Sequence, residues 1–197
     1  MYQKCNAFLI DCRTKFAFIF VFFVFLSSCS STPLDPQRTF KLTGVTTGWL
    51  DVGLDDLGRN KIVPTISFSL ENISNSDVRT LQLMGVFRRC ETAVEDGDSS
   101  LNQVSPADEM AGTCAGEITE WDNALVRAVG REGLDPGQNT GPITMESRLG
   151  YTGEQSRNEM LQHRQFIDAK VELFIKHRSD PWIKLTESPI DRQLLTQ

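Results

Sequence analysis

Histidine is almost absent from this chain. His163 and His177 are the only two in 197 residues, and no third or fourth ligand stands beside either in a spacing that would hold a metal. The pattern Gly-x-Ser-x-Gly is missing, and no serine is paired with a base, which excludes the nucleophile elbow of many hydrolases. Positive charge is also in short supply, with 20 Lys and Arg against 26 Asp and Glu for a net charge of -6. That balance argues against nucleic acid as a partner, which demands cationic surface to displace phosphate counterions. It argues equally against spreading over an anionic lipid surface. The apolar run Phe16 to Leu26 is 11 residues long, well short of the roughly 20 that a membrane-spanning helix needs.

That run has a different reading. Lys4, Arg13 and Lys15 precede it, and Leu26-Ser-Ser-Cys29 follows it, which is the order of basic, apolar and small-residue regions in an export signal. Leu26 to Cys29 resembles the lipobox of bacterial lipoproteins, in which the cysteine thiolate receives diacylglycerol. The resemblance implies that residues 1–28 are a signal peptide, that Cys29 is the lipidation site, and that residues 29–38 tether the domain to a membrane. Acyl chains on one cysteine hold the chain at the bilayer through about 0.8 kcal/mol per buried methylene. Ser30 after the cysteine is similar to the sorting signal for the outer membrane, so the expected location is the cell envelope. Loss of the signal removes Lys4, Arg13, Lys15 and Asp11, leaving 17 basic against 25 acidic side chains and a net charge of -8.

Of the five cysteines, Cys29, Cys90 and Cys114 lie outside the signal. With Cys29 lipidated, Cys90 and Cys114 form the one remaining pair in a compartment that permits oxidation. A disulfide between them would close a loop of 25 residues, worth about 3–4 kcal/mol in the chain-entropy account. The intervening stretch is acidic and weakly apolar; free thiols and metal ligation are the rival readings.

Residues 39–197 read as a single domain, large enough to bury its own core. Its texture is β. Pro64 to Asn72 alternates Ile66, Phe68 and Leu70 with Thr65, Ser67, Ser69 and Glu71, the period of a strand with one face on a core. Strands are also expected at Phe40 to Leu54 with a break, from Val78 and Thr80 through Phe87, over Thr140 to Leu149, over Phe166 to Lys176, and from Trp182 to Leu185 with extension toward Ile190. Ile118 to Val129 fits helix or strand. Thr152 to Arg164 is the one helical candidate. Seven or eight short strands with one short helix predict an all-β sandwich, with a small barrel as the alternative.

Ile66-Ser-Phe-Ser-Leu-Glu-Asn72, Met84-Gly-Val-Phe87, Gly133-Leu-Asp-Pro-Gly137 and Ser147-Arg-Leu-Gly-Tyr151 follow one another in an order that resembles immunoglobulin- or fibronectin-like envelope proteins and the stress-related sandwich domains of bacteria and plants. The resemblance implies an immunoglobulin-like or fibronectin-like β-sandwich, with the acidic Cys90 to Cys114 segment as an insertion.

No catalytic or metal-binding residue and no cofactor is expected. Asp51, Asp55, Asp56 and Asn60 offer oxygen ligands, but their spacing is not that of an EF-hand, and turns between strands favour the same residues. Glu95, Asp96 and Asp98 read as a solvated acidic loop. Tyr151, Arg157 and Met160 are candidate partner-binding residues in a connection longer than a sandwich needs; alternatively, the helix plugs one end of the sandwich with Met160, Leu161 and Phe166 buried. Arg127, Arg131, Arg148 and Arg157 are expected to pair with Glu132, Glu146 and Glu159. The functional expectation is a non-enzymatic lipoprotein that binds an envelope protein or serves a structural role. A binder of small ligands or glycans through Trp49, Trp121 or Trp182 is the alternative.

Overall fold

The computed structural model describes residues 34–91 and 117–196. The signal segment, the lipobox with Cys29 and the acidic stretch with Cys114 lie outside the described residues. Nine strands are present among them: β1 (Phe40–Leu54), β2 (Asn60–Asn72), β3 (Leu81–Glu91), β4 (Glu117–Val129), β5 (Asn139–Glu146), β6 (Tyr151–Gly153), β7 (Ala169–His177), β8 (Ile183–Pro189) and β9 (Leu194–Leu195). Two short helices accompany them, α1 (Pro36–Thr39) and α2 (Arg157–Gln162). One sheet runs β5-β2-β1-β9, with β6 also paired to β2, and the other runs β4-β3-β7-β8. The two sheets pack face to face, giving the all-β sandwich that the alternation predicts.

The core follows from that alternation. Ile66, Phe68 and Leu70 of β2 are buried, and so are Leu81, Leu83 and Phe87 of β3 and Val171, Leu173 and Ile175 of β7. Each such side chain contributes roughly 1.5–3 kcal/mol by leaving water. Gly85 takes the inward position between Leu83 and Phe87, where an added Cβ would lie 3.3 Å from the Met145 methyl group of the facing sheet. The opposite face of β2 carries Ser67, whose hydroxyl meets that of Thr144 on β5 at 3.1 Å.

One element settles an open reading and three differ from what the sequence suggests. Ile118 to Val129, ambiguous between helix and strand, is part of β4, which pairs along its length with β3. The helical candidate shrinks to Arg157–Gln162, because Tyr151–Gly153 pairs with β2 and Ser156 starts the helix with a capping box to Glu159. β3 begins at Leu81, since Thr80 adopts a left-handed φ of 58° and Val78 makes only an isolated bridge to Leu134. β7 begins at Ala169, and Phe166 packs into the core ahead of it. In the polar N-terminal segment, Asp35 caps α1, Pro36 and Thr39 are buried and Leu34 packs against the core.

The registers define two poles. Phe40 faces Asn72, and Leu81 faces both Val129 and His177. The start of β1 therefore shares a pole with the β2–β3, β4–β5 and β7–β8 connections. The β1–β2 turn, β6 and α2 lie at the other pole.

Candidate functional site

The pole bearing α2 carries the candidate site. Trp49, Trp121, Tyr151 and Phe166 form one aromatic cluster, with ring centroids 4.7 Å apart for Trp49–Phe166 and for Tyr151–Phe166, and 6.1 Å for Trp49–Trp121. Cations flank it: the Arg89 guanidinium lies 6.0 Å from the Trp121 centroid and that of Arg192 lies 5.3 Å from Phe166. Such contacts contribute about 0.5–2 kcal/mol each, more where water is excluded. Arg192 is itself held by Asp168 through Nε at 2.6 Å. Trp49 is fully buried and its indole N–H has no oxygen or nitrogen partner among the described residues. The Tyr151 hydroxyl donates to the Ile167 carbonyl at 3.3 Å and accepts from the Ile167 N–H at 3.2 Å. Burial pushes the Tyr151 phenol above its ordinary pKa.

Beside the cluster is an open cavity of about 150 Å³ whose walls include Tyr151, Gln155, Glu159, Met160, His163 and Phe166. Typical small-molecule sites enclose roughly 300–1,000 Å³, so this one is small and shallow by comparison. Its rim is made by α2, whose capping box ties Glu159 to Ser156. The Ser156 hydrogen bonds hold the Glu159 carboxyl below its usual range.

The three candidate binding residues are brought to this pole, each with an internal partner. Met160 is buried together with Leu161 and Phe166, the arrangement of the plug. Arg157 Nε pairs with Asp51 of β1 at 2.5 Å, and its second terminal nitrogen donates to the Gly53 carbonyl at 3.4 Å. Tyr151 is bound to the Ile167 backbone. Cys90 lies in β3 opposite Ile118, and its proposed disulfide partner Cys114 lies outside the described residues. Trp182 stands at the opposite pole beneath Lys176, 5.7 Å from the ring, so the three tryptophans do not line a common cavity.

Asp55 is turned inward to its own turn, accepting from the Leu57 and Arg59 amides and from Arg59 Nε at 2.8 Å. Asn60 donates to the Gln155 carbonyl. With Asp51 taken by Arg157, these oxygen-bearing groups do not converge, and no group of three or more His, Cys, Asp or Glu suited to a metal occurs among the described residues.

Two polar devices escaped the sequence reading. Asp122 of β4 is 6% exposed and accepts from Ser147 Oγ at 3.2 Å, the Arg148 amide at 2.6 Å and Arg148 Nη2 at 2.7 Å. These bonds cross from one sheet to the end of β5 in the other. The Arg148 side chain holds the Asp122 carboxyl well below the usual carboxylate range, against the opposing effect of burial. Arg148 and Arg157 thus pair with Asp122 and Asp51 and not with the glutamates near them in sequence, because sheet topology places distant aspartates closer. At the opposite pole Asn72 is wholly buried. Its amide donates to the Ser76 and Leu134 carbonyls at 2.9 and 2.8 Å, and its oxygen accepts from the Ser74 amide and hydroxyl at 3.0 and 2.7 Å. The strand-ending asparagine and the Gly133 to Gly137 turn, noticed separately in the sequence, are therefore one hydrogen-bonded unit.

No protein-family model matches the chain, and a search of curated proteins finds no match.

Proposed function

We propose that this chain is a lipoprotein of the bacterial envelope, anchored through Cys29, whose sandwich binds another envelope protein without catalysing a reaction. The observation that carries the reading is the separation of the poles. If Cys29 is lipidated, the chain from there to Leu34 spans about 17 Å at full extension. The tether then joins the domain at the pole where β1 starts. The opposite pole lies roughly 40 Å away, the length of a 13-residue strand. That far pole presents a braced β1–β2 turn: Asp55 fixes Leu57 at the tip, where its side chain is 76% exposed. An apolar side chain on a rigid turn can be buried by a partner at a low ordering cost.

The pairwise alternation of strands between the sheets supports likeness to immunoglobulin- and fibronectin-like domains, which commonly recognise partners through loops at one end. The outer-membrane placement rests on Ser30. Binding of a small ligand or glycan is the second reading, favoured by the cavity beside Tyr151, whose modest volume ranks it lower.

The test is photo-crosslinking in living cells with a reactive side chain at Leu57, compared with one at Asn75 on the opposite pole and with a Cys29→Ser form. The expected result is one dominant envelope protein linked from position 57 of the anchored form alone. A folded and abundant protein that links nothing from position 57 would sink the reading.

A further inference from the structure

Sheet edges invite pairing with other chains, and proteins usually guard them with proline, lysine and other charges, brevity or bulges. Three of the edges here are guarded in that way. β5 carries Pro142, β8 carries Lys184 and ends in Pro189, and β9 is two residues long. β4 is guarded only by bulges near its two ends and by the buried charge of Asp122. It is 13 residues long without proline or lysine, and no strand pairs with its outer side among the described residues. Its register shifts against β3 isolate Trp121 and Ala128 as bulged residues, and between them Asp122 to Arg127 is regular.

The side chains of this stretch have a self-complementary order. Leu125 is 63% exposed and stands beside Met84, which in turn faces Phe174. These three form an apolar row across the outer face of the sheet, and the row stops abruptly at the edge. Asn123 and Arg127 flank Leu125 on the same face, with Glu120 beyond.

We propose that β4 pairs antiparallel with β4 of a second copy about a two-fold axis at Leu125, joining two four-stranded sheets into one. Leu125 then meets its counterpart and the two apolar rows become continuous. Asn123 of each copy faces Arg127 of the other. Glu120 of each lies diagonal to the opposite Arg127, within the roughly 7–8 Å over which long side chains interact. A two-fold contact must be self-complementary in this manner. The five residues Asn123 to Arg127 paired per copy give an interface below the roughly 1,000 Å² of a strong complex, so the pair is weak and suits covalent trapping.

Two differently tagged copies of the full chain, co-expressed in cells, provide the test. Facing residues of an antiparallel pair have Cα atoms about 4.5–5.5 Å apart, within disulfide range. Leu125→Cys should link the two tags on mild oxidation, above the background of the parent chain with its own cysteines. Asn123→Cys in one copy should link to Arg127→Cys in the other. Asn123→Cys in both copies should not link, because those positions are about 13 Å apart along the strand. Arg127→Glu should lower the Leu125→Cys yield several-fold, and adding Glu120→Arg should restore it. Absence of a tag-to-tag link from folded Leu125→Cys protein would overturn the proposal. So would a link from that position to a different protein, or a tag-to-tag link from Asn123→Cys alone.

Discussion

Asn72 uses both amide hydrogens and accepts two bonds at its oxygen, all inside the protein. Replacing it by alanine removes four hydrogen bonds worth about 0.5–1.5 kcal/mol each, although the Ser76 and Leu134 carbonyls keep the Ser74 hydroxyl and the Val78 amide as donors. Asn72→Ala is expected to lose about 2–4 kcal/mol on that basis, measured as a fall in urea midpoint. Asp122 behaves differently because the Arg148 side chain is 82% exposed. Removing the carboxylate leaves the arginine in water, so Asp122→Ala should cost about 1.5–3 kcal/mol, the range for hydrogen bonds to charged groups. The folded pKa of Asp122 is depressed. Its contribution is therefore fully present above the unfolded value of about 3.9 and is lost as pH falls through the folded value. Glu172 follows the same sign: burial raises its pKa, but hydrogen bonds from Arg88 and Lys184 outweigh that and leave it lowered. Wild-type stability should decline below about pH 4, and the decline should be shallower in Asp122→Asn. Urea titrations at several pH values between neutrality and strong acid would show this, and parallel curves would refute it.

At the scale of elements, α2 has only six residues, too few to persist as an isolated helix. Its cap and its packing must hold it. Ser156→Ala is expected to cost about 0.5–2 kcal/mol, and Met160→Ala about 2–5 kcal/mol. If the plug shields the aromatic cluster, Met160→Ala should also shift the native tryptophan emission to longer wavelength. Unchanged emission would mean that the cluster is shielded without α2. The strands were legible wherever one face is dry and the other wet, as in β2 and β7. β4 was not, because Ala124 and Val126 are only half-buried and the bulges at Trp121 and Ala128 break the period of two. The candidate site was legible only in part. Met160, Leu161 and Phe166 advertise burial by their own chemistry. The partners of Arg148 and Arg157 lie 26 and 106 positions away, at Asp122 and Asp51, and only sheet topology brings them together.

For the molecule as a whole, the last strand closes on the first. β9 pairs parallel with β1 at Trp49 and Leu50, and the Gln193 carbonyl accepts from the Trp49 amide at 2.8 Å while its side chain donates to the Thr47 carbonyl at 2.6 Å. Asp191 adds a third bond, from its amide to the Thr47 hydroxyl. Gly48 permits this closeness, since a Cβ there would lie 2.7 Å from the Leu195 side chain. A chain ending at Ile190 forfeits at least these three hydrogen bonds at about 1 kcal/mol each, together with the Arg192–Asp168 pair and the packing of Leu194. At roughly 2–4 °C per kcal/mol for a domain of this size, it should melt at least about 6–12 °C lower by circular dichroism; an unchanged melting temperature would show that β9 adds nothing to stability.

That closure has a bearing on the order of events in the life of the chain. A polypeptide is made from its N-terminus, so the seam beside β1 stays open until β9 is free to reach it. Contacts of such sequence separation are paid for late in folding and slow it. The sandwich can therefore assemble around β1 and β2 with this seam still open, and β9 closes it afterwards.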